Sequence, residues 1–306
     1  MDKEKLLGWT PHIEVLIRRI YYSNNTLIEK LKNKRSVETG GIIPETSVNA
    51  DKSKIFSYIE ALNIKKGDIL IVHSSSDEMN KVGIEPIELI KFLRSLIGEE
   101  GTLVLPAFPL FTDSNEKVYN PKRTLCSTGL MPNLFIRMPG VIRSQFPWNS
   151  LAAQGPHAEN MMRNNLETDL AHGVGSTWEY CMNNDAKILL LGVKSSHTTT
   201  MVHVAEDILD EKWPIADWYE TQSIIVKNKN EEKRIDIRVR KQKWVKYNAS
   251  WYRSTQLKKN KLLSEVEVEG FNIGFIEDSK KMVDFIIDRT LKHKAFFSVP
   301  ERCYKK

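Results

Sequence analysis

Two side chains three residues apart have the types and the spacing that proton transfer requires. His203 and Glu206 occur in HTTTMVHVAEDILD, a segment typical of a loop that opens into a helix. Residues three apart on a helix share one face, so the carboxylate can orient the imidazole. The pair suits a general base, a metal ligand or an ordinary packing pair. No HExxH motif accompanies it, and we therefore expect no metal.

A polar run at the end of a strand forms a second candidate site. The segment ILIVHSSS predicts a buried parallel strand that ends at His73, Ser74 and Ser75. Open α/β sheets bind ligands at the carboxyl ends of their strands, where hydroxyl and backbone N–H groups can hold a phosphate. The sequence GxxxxGK[ST] is absent, so this is not a P-loop.

A glycine-containing turn is the third candidate. Residues 173–176, Gly-Val-Gly-Ser, follow His172 and precede a predicted helix. The turn can present N–H groups to an anion or a developing oxyanion, or it can be a plain turn in which Ser176 caps the helix. The GxSxG sequence of Ser-His-Asp hydrolases is missing, which argues against that class.

Alternating strand and helix patterns must position these residues. ILIVHSSS, TLVLPAF and KILLLGV predict buried strands with helices between them, and so an α/β fold with a central, mostly parallel sheet flanked by helices. SIIVKN and RIDIRVR alternate and predict a smaller antiparallel β excursion. We expect residues 1–48 to be an N-terminal helical extension, with a helix at about 10–32. Residues 49–306 then form one α/β domain, of which about 220–268 is a divergent part.

Composition narrows the class of protein. The 306 residues are 41% hydrophobic and 27% charged, which is ordinary for a globular protein. No apolar run approaches the roughly 18 residues that span a bilayer, and the first residues lack a signal-peptide pattern, so we expect a cytoplasmic protein. Three cysteines without a CxxC predict neither disulfides nor zinc. The net charge of +6 lacks any nucleic-acid recognition motif, so no nucleic acid is expected.

Several sequence blocks, taken in order, form one recognisable pattern. They are IKKGDILIVHSSS, GTLVLPAF, YNPKRTLCSTGLMPNLFIRMPGVIRSQFPWNSLAAQGPHAE, HGVGSTWEY, KILLLGV and TTTMVHVAE. Through these blocks the chain, from about Asn49 to Tyr219, is similar to the aminoglycoside 3-N-acetyltransferase family, the antibiotic N-acetyltransferases. The last segment, NIGFIEDSKKMVDFIIDRTL, is similar to that family's ending, whereas the resemblance does not cover residues 1–48 and much of 220–268.

The resemblance implies acyl transfer from acetyl-CoA, or another short acyl-CoA, to a sugar amine, without a metal and without a covalent acyl-enzyme. It assigns catalysis to the histidine and carboxylate already named and to Asn149. The residues that it places at the two ligands are, for CoA, His73, Ser74, Ser75, Ser127, Gly129 and Met131, and, for the acceptor, Tyr119, Phe146, Trp148 and His172.

One position departs from the family pattern. Where the family commonly has His-Pro, with the histidine regarded as part of the catalytic centre, this chain has Phe146-Pro147. Phenylalanine cannot accept a proton, whereas an imidazole can. Three explanations stay open: another base, with His203 the leading candidate; a less basic acceptor; or binding without catalysis.

The expected function is therefore a CoA-dependent N-acyltransferase of an amino sugar. Because the chain is net basic, we favour an anionic, nucleotide-linked sugar used in surface polysaccharide synthesis. The alternatives are an aminoglycoside 3-N-acetyltransferase that gives antibiotic resistance and a CoA- or sugar-binding protein with decayed catalysis. The sequence predicts no membrane span, and it does not decide whether the chain forms a homo-oligomer.

Overall fold

A computed structural model describes residues 3–23, 50–112, 116–163, 165–228, 231–293 and 295–305. The α-helices are α1 Lys3–Trp9, α2 Pro11–Ser23, α3 Lys52–Glu60, α4 Ser76–Lys81, α5 Pro86–Ile97, α6 Leu130–Phe135, α7 Ala158–Met162, α8 Thr177–Asn183, α9 Ser195–Thr198, α10 Val202–Leu209, α11 Ser250–Lys259 and α12 Ser279–His293. Short 3₁₀ turns occupy Asp210–Lys212, Gln242–Tyr247 and Glu301–Cys303.

The strands form two sheets. They are β1 Ile69–Ser74, β2 Thr102–Pro106, β3 Val118–Tyr119, β4 Ile142–Arg143, β5 Leu151–Gln154, β6 Lys187–Leu191, β7 Tyr219–Lys227, β8 Glu232–Arg240, β9 Ser264–Val268 and β10 Phe271–Ile276. The order in the large sheet is β4-β5-β2-β1-β6-β10-β9, and β3-β7-β8 form the small one.

The large sheet is parallel only at its centre. β1 pairs in parallel with β2 and β6, while β5 and β4 on one side and β10 and β9 on the other pair antiparallel. The predicted α/β class with flanking helices is confirmed, and the parallel part is confined to three strands. These central strands are buried along their length, which explains their continuous apolar sequence.

Side chains of β1 alternate between two apolar cores. Ile69 and Ile71 face a core that holds Trp178 of α8 and the inner faces of α10 and α12. Leu70 and Val72 face the opposite core, with α3, α5 and α6. By the same alternation His73, at the carboxyl end of β1, lies on the Trp178 side.

Gly155 lies in the longest of the blocks that carry the resemblance, and its backbone position requires glycine. Its φ is +137°, and a Cβ there would lie 2.3 Å from the carbonyl oxygen of Gly101 and 2.7 Å from the Cα of Thr102. No side chain fits such a backbone approach. The position therefore serves the joining of β5 to β2 rather than chemistry.

The N-terminal region is helical where it is described. α2 covers residues 11–23 of the helix expected at about 10–32, and the remainder of that prediction lies outside the described residues. Within the described ranges no helix is both long and apolar enough to cross a membrane.

Candidate active site

The predicted histidine–carboxylate pair forms on α10. His203 Nδ1 lies 2.8 Å from Glu206 Oε1. A carboxylate only accepts, so Nδ1 carries the proton and Nε2 keeps its lone pair. No hydrogen-bond partner for Nε2 is found among the described residues. The His203 side chain is 22% exposed and that of Glu206 is 5% exposed, so the pair opens towards solvent through the imidazole.

The surroundings keep the imidazole neutral and the carboxyl ionised. Burial lowers the pKa of His203 below its ordinary value, although Glu206 acts in the opposite direction. Burial alone would raise the pKa of Glu206, but His203, Arg240 and Arg253 outweigh it, and the pKa of that carboxyl is lowered. At neutral pH the pair is thus a neutral base held by an anion, as general-base catalysis requires.

A second histidine–carboxylate pair lies beside the first. The backbone N–H of His172 donates to Asp207 Oδ2 at 3.1 Å, and His172 Nδ1 donates to the same oxygen at 2.9 Å. Tyr219 donates its hydroxyl to Asp207 Oδ1 at 2.9 Å. The ring centroids of His172 and His203 are 5.5 Å apart, so both pairs border one space.

Asn149 closes the second pair. Its Nδ2 lies 3.1 Å from His172 Nε2, which must accept because Nδ1 holds the proton. Its carbonyl oxygen accepts the Trp178 Nε1–H at 2.8 Å. Its φ of +46° is a left-handed conformation that asparagine tolerates better than most residues. These contacts fix the Asn149 side chain against His172.

The loop at 143–150 that carries Asn149 is anchored by buried groups. Arg143 donates to the carbonyl oxygens of Ala107 and Thr124, and Ser150 Oγ also donates to Ala107 O, at 2.5 Å. Tyr119 is fully buried and donates its hydroxyl to Ser144 O at 2.6 Å. Arg143, Ser144 and Ser150 thus hold the loop that carries Asn149.

Phe146 and Trp148 occupy different environments. Phe146 is 4% exposed and packs with Tyr119, Ala171 and residues of β7 and β8 in a third apolar core. Trp148 is half-buried at the edge of that core, with Lys117 Nζ 5.1 Å from its ring centroid. Of the residues expected at the acceptor, Tyr119 and Phe146 lie in the packing behind the loop, whereas Trp148 remains partly accessible.

The segments expected to hold CoA lie against each other. Ser74 Oγ lies 3.3 Å from Met131 Sδ, and a Cβ on Gly129, whose φ is +112°, would lie 3.6 Å from Ser76 Oγ. Two hydroxyls have structural partners, since Ser75 Oγ accepts from Glu78 N to cap α4 and Ser127 Oγ donates to Phe108 O. The structure thus brings the end of β1 to the start of α6.

His73 lies next to this contact with an unpartnered atom. It is 8% exposed, and its buried Nε2 has no hydrogen-bond partner among the described residues. Its ring stacks on Trp178 at 6.3 Å between centroids, and burial lowers its pKa to about 4. Trp178 also lies 5.8 Å from His172 and so connects the end of β1 to the two pairs.

The glycine-containing turn is a helix cap. Ser176 Oγ accepts from Glu179 N at 3.1 Å, and Gly175 N–H donates to Glu179 Oε2 at 2.6 Å. The Gly175 N–H is therefore occupied, and the plain-turn interpretation fits. No group of three or more metal-ligating side chains is found in the described part of the chain.

Sequence reasoning missed Asp207, Tyr219 and the two arginines behind Glu206. Asp207 follows Glu206 directly in the chain, so the sequence offered a second carboxylate next to the predicted pair. Arg240 Nη1 lies 3.6 Å from Glu206 Oε2, but it comes from β8, outside the sequence blocks that carry the resemblance.

The fold and this site define a class, an α/β enzyme-like domain with an imidazole–carboxylate pair at one end of its sheet. The model of the aminoglycoside 3-N-acetyltransferase family matches residues 71–289. The chain belongs to this family. Aminoglycoside N(3)-acetyltransferase IV of Salmonella sp is 31% identical over 157 residues, which are 51% of this chain and 58% of that protein.

Other relatives agree in name and in fold. Aminoglycoside N(3)-acetyltransferase IX of Micromonospora chalcea is 29% identical over 52% of this chain and 62% of its own length. The apoenzyme structure of aminoglycoside acetyltransferase AAC(3)-IVa superposes with a TM-score of 0.66 and 24% identity, over 85% of this chain and 95% of that one. The structure of AAC-IIIb with CoASH superposes with a TM-score of 0.68 and 18% identity, over 82% of this chain and 99% of that one. The chain thus spans about three fifths of the two curated relatives but nearly all of the solved folds.

Proposed function

We propose that the protein is an acetyl-CoA-dependent N-acetyltransferase whose acceptor is an amine of an aminoglycoside-class amino sugar. The observation that carries the proposal is the neutral His203, with Nδ1 held by Glu206 and Nε2 without a partner. It lies within the residues that match the family model. His203 therefore takes the role of base for which the sequence, with phenylalanine at 146, needed another candidate.

The reaction assigned to these residues balances as follows. The acceptor nitrogen attacks the thioester carbonyl carbon, and its proton passes to His203 Nε2. The amide C–N bond forms, the C–S bond breaks, and the proton returns from His203 to the departing thiolate. Glu206 stabilises the imidazolium in between, because its carboxylate lies 2.8 Å from Nδ1. General-base assistance of this kind contributes about 10²- to 10⁴-fold.

The co-substrate is assigned to the contact between residues 73–76 and 127–131. Gly129 leaves that contact open, because it has no side chain and its backbone adopts a positive φ. The unpartnered Nε2 of His73 supplies a buried polar atom there that a ligand group can satisfy. These features support, for this chain, the CoA site that the family resemblance implies.

Aminoglycosides fit the comparisons better than the nucleotide-linked sugar favoured from net charge. The curated relatives are named for aminoglycosides, and AAC(3)-IVa and AAC-VIa have been crystallised with a gentamicin and with sisomicin. The argument from charge also weakens, since many basic side chains of the 227–246 stretch are in ion pairs. These pairs are Lys227–Glu232, Arg234–Glu116, Arg238–Asp169, Arg238–Asp210, Arg240–Glu206, Lys241–Asp217 and Lys243–Asp217.

The test supplies the whole chain with acetyl-CoA and follows release of the CoA thiol. One arm contains gentamicin, sisomicin or apramycin, and the other contains UDP-linked amino sugars. We expect thiol release with at least one aminoglycoside and a product heavier by one acetyl group in mass spectrometry. Release with the nucleotide-linked sugars alone would return the function to the nucleotide-linked acceptor favoured from net charge, and release in neither arm would contradict the proposed activity.

A further inference from the structure

A carboxylate of the N-terminal helices is buried against a distant part of the chain. Glu14 of α2 is 1% exposed, and its Oε2 accepts the backbone N–H groups of Trp251 and Tyr252 at 3.0 and 3.1 Å. Its Oε1 accepts from Ser250 Oγ at 3.2 Å and lies 3.0 Å from Arg18 Nε. Every oxygen of this carboxylate therefore has a partner at the start of α11 or on α2.

The sequence of α11 explains why the carboxylate is needed. The residue at its N-cap is Ala249, which has no side-chain acceptor for the first N–H groups. Glu14 supplies that acceptor and places a negative charge at the positive end of the helix. α1 packs equally closely, because a Cβ on Gly8 would lie 2.1 Å from Thr255 Oγ1. Residues 3–23, the N-terminal arm, are thus joined to α11 by a cap and by close packing.

α11 also carries a buried guanidinium. Arg253 is 6% exposed, donates to Asn248 Oδ1 at 3.2 Å, and interacts electrostatically with the carboxylates of both Glu206 and Glu14. Arg240 approaches Glu206 directly, with Nη1 3.6 Å from Oε2. The helix that Glu14 caps thus places a positive charge within electrostatic range of Glu206, the partner of His203.

We propose that the N-terminal arm is a positioning element of the active site, in which Glu14 caps α11, balances Arg253 and so holds Glu206 and His203 in their paired arrangement. The arm lies outside the residues 71–289 that match the family model. The inference uses the geometry of the His203 pair and rests on the proposed function only for its effect on rate.

The direction of the effect follows from the charges. The titratable and charged groups that act on His203 and Glu206 are His172, Arg240, Arg253 and the Tyr219 hydroxyl beside Asp207. Glu14→Gln keeps an oxygen for the N–H groups of α11 but removes the charge that offsets Arg253. The local potential then becomes more positive, and the pKa of His203 falls. Arg253→Gln removes the positive charge and has the opposite effect.

The experiment measures the pKa of His203 directly, without substrate. The full chain is labelled with ¹⁵N-histidine and titrated by NMR, and the His203 signal is identified by its absence in His203→Ala. We expect Glu14→Gln to lower the pKa of His203 by about half a unit and Arg253→Gln to raise it, since charges beyond a contact pair shift a pKa by less than about 1 to 3 units. Glu88→Gln, which removes another ion-paired helix-start carboxylate, serves as the matched control and leaves the pKa of His203 unchanged.

Two outcomes overturn the inference: no shift in the variants, or a shift of the same sign in Glu14→Gln and Arg253→Gln. If Glu14→Gln does not fold, Arg18→Gln takes its place, because it removes the arm's other charge at the start of α11 and should raise the pKa of His203. The rate then separates the two proposals. Opposite pKa shifts without acetylation of any aminoglycoside leave the arm's role standing and remove the proposed function. Acetylation of an aminoglycoside, with no change in the pKa of His203 in the variants, supports the proposed function and removes the role of the arm.

Discussion

The two histidine–carboxylate pairs use the same groups but differ in how many partners each imidazole has. His172 donates through Nδ1 to Asp207 and accepts through Nε2 from Asn149, so both ring nitrogens are occupied. His203 donates through Nδ1 to Glu206, and its Nε2 is left for an incoming ligand. A catalytic base needs a lone pair within reach of the substrate, whereas a fully bonded imidazole fixes its neighbours. On the proposed function, this difference favours His203 for proton transfer and gives His172 the support of Asn149.

The largest expected effect tests which imidazole is the base. His203→Ala should lower kcat/KM by about 10²- to 10⁴-fold, because it removes general-base assistance. The rise of kcat/KM with pH through the lowered pKa of His203 should disappear as well, while acetyl-CoA still binds. Thiol-release kinetics from acidic to mildly alkaline pH provide the measurement. A matched control is His157→Ala, whose imidazole bonds Tyr180 elsewhere; if it loses as much activity, the assignment is wrong.

A third histidine has no carboxylate, and its effect is on stability. Burial lowers the pKa of His73 to about 4 in the folded chain, whereas an unfolded histidine titrates near about 6.5. Below the unfolded pKa the unfolded state binds more protons, so the free energy of unfolding falls as the pH falls from about 6.5 to about 4. The full loss is about 3 to 4 kcal/mol, from roughly 1.4 kcal/mol for each pKa unit.

His73→Phe should therefore make the free energy of unfolding less dependent on pH over that window. Urea unfolding at about pH 7 and at about pH 4.5 measures the difference, which we expect to shrink by about 2 to 3 kcal/mol. The parent chain and His157→Phe should both keep the steeper dependence. An identical dependence in His73→Phe would mean that the His73 proton equilibrium is not coupled to folding.

What the sequence could predict follows from the distance between the partners along the chain. His203 and Glu206 lie one helical turn apart, so the helical period of about 3.6 residues was enough to pair them. The strand at 69–74 was equally local, because a buried parallel strand has a continuous apolar sequence. Asn149 and His172, 23 residues apart, meet only through the left-handed backbone of Asn149 and the Trp178 hydrogen bond to it.

The N-terminal arm is the extreme case. Glu14 and Trp251 are 237 residues apart, and neither has a local pattern that indicates the other. The resemblance could not supply the contact, because Glu14 lies outside the blocks that carry it and outside residues 71–289 that match the family model. Phe146 shows the reverse limit: its place in the block suggests a substrate contact, and the block could not show that its side chain is buried against β7 and β8. Burial of a single aromatic side chain is decided by the tertiary fold.

The next largest effect is expected from Asp207→Asn, which should weaken the hydrogen bonds that His172 and Tyr219 donate to residue 207. Three donors converge on the Asp207 carboxylate, and an amide presents only one acceptor oxygen to them. Leaving a buried donor unsatisfied costs about 1 to 3 kcal/mol, which urea unfolding should register as a lower midpoint. Asp169→Asn breaks a more exposed pair with Arg238 and should cost less than about 1 kcal/mol. A loss of rate equal to that of His203→Ala without loss of stability would exchange the roles of the two pairs.

The smallest effect comes from Tyr219→Phe, which removes one donor and leaves the carboxylate charge in place. A single hydrogen bond of this kind contributes about 0.5 to 1.5 kcal/mol to the free energy of unfolding. Because Tyr219 and Asp207 are direct partners, the cost in Asp207→Asn/Tyr219→Phe should be less than the sum of the single costs. Burial and Asp207 raise the pKa of Tyr219, so its hydroxyl stays protonated and the pH dependence of kcat/KM should not change in Tyr219→Phe. A displaced acidic limb in this variant would show that the two pairs titrate as one unit, and the division between base and support would then fail.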